Sequence, residues 1–174
     1  MKARKILAVS LTAAMTLALA ACGGSSSDKE SSSKDSSDKV YKIGICQQLE
    51  HAALDEATKG FEEACEEKFG KDKVKFDLQN GQGEQANCAT IVNNFVADND
   101  DLILANATTA LQCAAAATST IPILGTSVTE YGVALDISDF SGTVGGNISG
   151  TSDLAPLDGQ ADMIKELFPD AKTV

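Results

Sequence analysis

From Val40 onward, short apolar runs alternate with segments of helical period, and this alternation restricts the fold more than any other feature of the chain. The predicted strands are Val40–Cys46, Val74–Leu78, Asp101–Ala105 and Ile121–Gly125, with a short fifth at Asn147–Ser152. Between the first two, Leu54, Ala57, Phe61, Ala64, Cys65 and Phe69 recur at helical spacing over His51–Phe69. Glu62, Glu63, Glu66 and Glu67 lie off that stripe, and Gly70 suits the helix end. A second helix is predicted over Glu84–Asp98, with the stripe Cys88, Ile91, Val92, Phe95 and Val96. An Ala-rich third spans Thr109–Ala117, and a final one spans Pro156–Phe168. Thr126–Gly146 reads as irregular. Strands that are apolar throughout and alternate with helices specify an α/β fold, a parallel sheet with helices on both faces and right-handed crossovers. Small ligands bind such sheets outside the carboxyl ends of the strands. That rule selects Gln47–His51, Gln79–Gly83, Asn106–Thr109 and Thr126–Tyr131.

Not all of the 174 residues belong to this pattern. Lys2, Arg4 and Lys5 precede an uncharged stretch, Ile6–Ala21, too short to span a bilayer comfortably. This is the charge and apolar order of a secretory signal over residues 1–21. It ends in Leu19-Ala20-Ala21-Cys22, which resembles the lipobox of bacterial lipoproteins. The resemblance implies cleavage before Cys22, lipid on its sulfur, and a protein held at the cell membrane facing outside the cytoplasm. Residues 22–39 are a Gly/Ser/Asp/Lys tract without the apolar content needed to fold, a flexible tether. The net charge of −11 argues against a nucleic-acid partner, which requires a Lys/Arg face.

The selected loops carry binding chemistry and little that is catalytic. Asn106-Ala107-Thr108-Thr109 ends a strand and opens a helix, so backbone N–H groups and two hydroxyls favour an anion there. With no cation beside them, a carboxylate suits them better than a triphosphate. Thr108 or Thr109 serves either as a helix cap alone or as a cap that also touches ligand. Ser127, Thr129, Glu130 and Tyr131 follow the fourth strand, where Glu130 suits an amine and Tyr131 a stacked ring, or else the segment is an ordinary exposed loop. His51, the single histidine, reads as a hydrogen-bonding residue at a helix start. No Cys/His spacing resembles a metal site. Gly81-Gln82-Gly83 lacks the third glycine of the dinucleotide fingerprint, so no cofactor is expected. Cys46, Cys65, Cys88 and Cys113 fall on apolar faces as buried small residues.

Taken in order, Ile43-Gly44-Ile45-Cys46-Gln47-Gln48-Leu49-Glu50-His51-Ala52-Ala53-Leu54-Asp55, Gly60-Phe61, Leu78-Gln79-Asn80-Gly81-Gln82-Gly83, Ala107-Thr108-Thr109-Ala110, Ile121-Pro122-Ile123, Val128-Thr129, Ser149-Gly150-Thr151-Ser152-Asp153 and Leu167-Phe168-Pro169-Asp170-Ala171-Lys172 resemble the ABC-transporter substrate-binding lipoproteins of the tryptophan/tyrosine-binding type. The pattern departs from that family at Ala52, often Pro, and at Glu130-Tyr131, usually Asp-Pro. The resemblance implies the type I periplasmic-binding-protein fold, two Rossmann-like lobes closing on a ligand. It implies no catalysis, and it places Gln47, Thr108, Thr109, Ser127 and Thr129 at the cleft. It assigns residues 40–155 to lobe one and 156–174 to the start of an incomplete second lobe, as in a truncated member. The expected partners are a small polar, amino-acid-like solute, an ABC permease, and the membrane through Cys22. The alternatives are a flavodoxin-like single-domain enzyme and a non-functional fragment.

Overall fold

The computed structural model of the chain describes residues 39–173. The signal-like segment 1–21, the lipidation expected at Cys22 and the tether up to residue 38 lie outside the described residues. Five strands, β1 (Tyr41–Gln47), β2 (Val74–Asn80), β3 (Leu102–Asn106), β4 (Ile123–Val128) and β5 (Ile148–Ser152), alternate with helices. The helices are α1 (Ala52–Phe69), α2 (Gln85–Ala97), α3 (Thr108–Ala117), the short α4 (Tyr131–Ala134) and α5 (Leu157–Leu167). The strands form one sheet in the order β2-β1-β3-β4-β5, and every neighbouring pair is parallel.

Helices cover both faces, as the apolar strands require. On one face, α2 and α3 bury Val92, Phe95, Leu111 and Ala114 against Cys46, Ile103, Ala105 and Ile123 of the sheet. Each large apolar side chain so buried contributes roughly 1.5–3 kcal/mol. Gly44 permits this approach, because a Cβ there would stand 2.5 Å from the Phe95 ring. On the other face, α1 covers Ile43, Ile45, Val74 and Leu104 with Phe61 and Cys65. Tyr131 lies against the backbone of β4 and β5, where a Cβ on Gly125 or Gly150 would meet its hydroxyl at 2.4 or 2.2 Å.

The structure amends several sequence expectations. The strands run further than their apolar centres, to Gln47, Asn80, Asn106 and Val128, because the ladder hydrogen bonds continue through polar residues. The segment read as irregular from Thr126 contains the end of β4 and the helix α4, nucleated by its own capping residue. The α1 stripe is shifted. Thr58 is buried, whereas Ala64 is exposed and Phe69 is 52% exposed, pairing with Tyr41 at the rim with ring centroids 5.8 Å apart. Helix α5 has no buried residue.

Candidate functional site

The strand order reverses between β1 and β3, so the crevice of this sheet opens between their carboxyl ends. Gln47 and Asn106 stand opposite one another there, the last residues of their strands. Gln47 is 4% exposed and fully engaged. Its Nε2 donates to the Leu49 carbonyl at 3.0 Å and to Asp55 Oδ1 at 2.6 Å, while its Oε1 accepts from Thr58 Oγ1 at 2.7 Å. Asn106 is wholly buried, and its Nδ2 donates to the Leu54 carbonyl at 2.8 Å and to Thr58 Oγ1 at 2.9 Å. Its Oδ1 has no partner among the described residues. Thr58 therefore joins the ends of two strands to the first turns of α1. Gln47, expected at the cleft, holds that scaffold together.

Helix α3 begins at this junction. Its N-cap is Ala107, which cannot cap, so the expectation that Thr108 or Thr109 caps the helix does not hold: both are its first residues. Ala107 has φ 88° and ψ 163°, a region that favours glycine, and its N–H donates to the Thr126 carbonyl at 2.9 Å. The Thr109 N–H donates to Gln48 Oε1 at 3.2 Å, and Gln48 itself is held by its backbone to Asn106 and Gly83. Among the described residues, the Thr108 N–H and both threonine hydroxyls carry no hydrogen bond. Neutral donors and a helix dipole thus converge on one half-buried turn.

The residues after β4 are brought alongside, because Asn106 pairs with Thr126 and Ser127 follows directly. Ser127 adopts φ 55°, and Thr129 is exposed at the rim. Glu130 and Tyr131 take other tasks. Both Glu130 carboxylate oxygens cap α4, accepting from the Gly132 N–H at 2.9 Å and the Val133 N–H at 2.6 Å. Tyr131 is 6% exposed, and its hydroxyl donates to the Thr151 carbonyl at 3.1 Å, so its ring packs in the sheet and is not free to stack on a solute. Burial pushes its phenol pKa up. Glu130, Tyr131 and Thr129 line a depression of about 560 Å³ beside β5, with Phe140, Val144 and Leu154.

His51 is the N-cap of α1, its Nδ1 accepting from the Ala53 N–H at 3.2 Å. Cys46, Cys65, Cys88 and Cys113 are free and buried, and burial raises the Cys46, Cys65 and Cys113 thiols. Sequence reasoning missed Gln48 and Thr58. Thr58 carried a legible signal: a polar residue inside the apolar stripe Leu54, Ala57, Phe61, Cys65.

Residues 42–174 match the profile of the ABC transporter substrate binding protein family. A tyrosine-binding protein of Clostridioides difficile is 38% identical over 99% of this chain and 51% of its own length. The chain thus spans about half the length of that relative. The ligand-free, open structure of a Clostridium difficile substrate binding protein with adhesive properties superposes with TM-score 0.68 at 39% identity, over 76% of this chain and 45% of that one. A Streptococcus pneumonia ABC domain in complex with L-Trp superposes with TM-score 0.69 at 34% identity, over 76% of this chain and 45% of that one. The sheet bears out the parallel α/β fold expected from the strand pattern, and the relatives bear out the type I periplasmic-binding fold that the family resemblance implies. The chain belongs to the ABC transporter substrate-binding protein family.

Proposed function

We propose that this chain carries ligand-binding surface of a solute receptor for an ABC importer and takes an α-amino-acid-like solute, with no catalytic step. The observation that carries this reading is the first turn of α3 at the β1/β3 crevice, where the Thr108 N–H and the hydroxyls of Thr108 and Thr109 are without partners among the described residues. Neutral donors at a helix N-terminus fit a carboxylate. Ser127 directly follows Thr126, the β4 partner of Asn106, at the same end of the sheet. Relatives named for tyrosine and solved with L-Trp make aromatic amino acids the first solutes to test. The solute passes to a permease, and a lipid on Cys22 holds the protein at the outer side of the cell membrane.

Nitrogen-15 NMR of the full chain, titrated with L-tryptophan and L-tyrosine, tests the binding reading, because it registers weak association. Shifts confined to Thr108, Thr109 and Ser127 are expected, and shifts absent at millimolar amino acid contradict it. Metabolic labelling with a fatty-acid analogue tests the anchor. Label is expected in the wild type and lost in Cys22→Ala, and an unlabelled wild type contradicts the anchor.

A further inference from the structure

We infer that Gln48 is a displaceable latch whose side-chain carbonyl occupies, in the unliganded protein, the donor that an amino-acid carboxylate takes on binding. The inference rests on the solute-binding reading above. Helix α3 has no capping side chain of its own, because Ala107 stands at the N-cap. The Thr109 N–H is served instead from β1's loop, 61 residues away in sequence, by Gln48 Oε1 at 3.2 Å. Gln48 is itself fixed at both backbone groups. Its N–H donates to the Asn106 carbonyl at 3.1 Å, and its carbonyl accepts from the Gly83 N–H at 2.8 Å. Only its side chain is free to leave. The turn it latches is unusual in a second way: Asn106, which holds the Gln48 backbone, carries a wholly buried side-chain oxygen without a partner among the described residues.

An amide oxygen is a neutral acceptor, and a carboxylate accepts the same hydrogen bond more strongly. Exchange of one for the other keeps the helix end satisfied throughout and sets the affinity by the difference between the two. The adjacent Thr108 N–H and two hydroxyls then add to the carboxylate alone. Gln48 is a positioning residue: it tunes affinity by competition.

The test uses the full chain as wild type, Gln48→Leu and Gln48→Glu, with amide hydrogen exchange and an L-tryptophan titration followed by NMR. Without ligand, Gln48→Leu is expected to speed exchange at Thr109, and Gln48→Glu to keep it slow. With ligand, Gln48→Leu is expected to bind roughly three- to ten-fold tighter, the equivalent of one hydrogen bond not displaced. Gln48→Glu is expected to bind more weakly than wild type, since a fixed carboxylate holds the donor. A merely structural cap predicts the opposite for Gln48→Leu, weaker binding from a frayed helix. Equal or weaker binding by Gln48→Leu, or unchanged exchange at Thr109, overturns the latch while leaving the receptor reading intact. Absence of binding in all three proteins overturns both.

Discussion

The two faces of the sheet are built on different principles. Beneath α2 and α3 the packing is almost wholly apolar, with Phe95, Ile103, Leu111, Ile123 and Val92 all 1% exposed or less. Beneath α1 the apolar patch is smaller, Phe61, Phe76 and Leu124 are only partly covered, and the end nearest the crevice holds Gln47, Thr58 and Asn106 buried together. The first face gains its stability from excluded water. The second uses part of its interior to hold the ends of β1 and β3 and the start of α1 in one hydrogen-bonded frame. The difference separates two structural roles: the α2/α3 face supports the sheet, and the polar end of the α1 face fixes the strand ends at the crevice.

That division can be broken most sharply at Phe95. Phe95→Ala removes a ring packed on the β1 backbone at Gly44 and is expected to cost about 3–5 kcal/mol in urea denaturation. A loss below about 1 kcal/mol would show that the α2/α3 face does not dominate stability. Thr58→Val keeps the shape and removes the hydroxyl that joins Gln47 to Asn106. A cost of about 1–3 kcal/mol is expected, with amide shifts concentrated at Gln47, Gln48 and Asn106. Shifts spread evenly over the sheet would refute a localised frame.

Smaller effects sharpen the comparison. Ala107→Gly relieves a backbone at φ 88° and is expected to raise stability by about 1 kcal/mol, read from the denaturation midpoint. Destabilisation would show that the alanine methyl contributes packing there. Asp100 sits at the lower edge of the α2/α3 face, beside Gly44 and Phe95. Burial, then Asp77 and Asp98, raise its pKa above 3.8. Its ionisation therefore opposes folding. The penalty is absent below 3.8 and fully present above the raised folded value. Asp100→Asn is expected to melt higher than wild type at pH 7, with the difference closing on acidification. A difference that grows toward low pH would contradict the sign.

Most of the architecture was legible from the alternation of apolar runs with helical stripes, and the crevice followed from the rule that ligands sit beyond strand ends. The internal assignments were less so, because they depend on which polar groups meet in space. Gln47 looks like a ligand contact in one dimension, yet Thr58 and Asp55 consume its side chain. Glu130 and Tyr131 carry attractive chemistry, yet a helix cap and a close sheet contact use both. Gln48 and Thr109 lie in two of the selected loops, but nothing in the sequence pairs them, since they stand 61 residues apart. Residue type indicates what a side chain can do, and neighbours decide whether it remains available.

The central claim is that the first turn of α3 receives a carboxylate, and its most direct test is the affinity of the full chain for L-tryptophan in Thr108→Ala and Thr109→Ala. The account predicts roughly five- to ten-fold weaker binding in each, the equivalent of about one hydrogen bond. Unchanged affinity in both variants would contradict it.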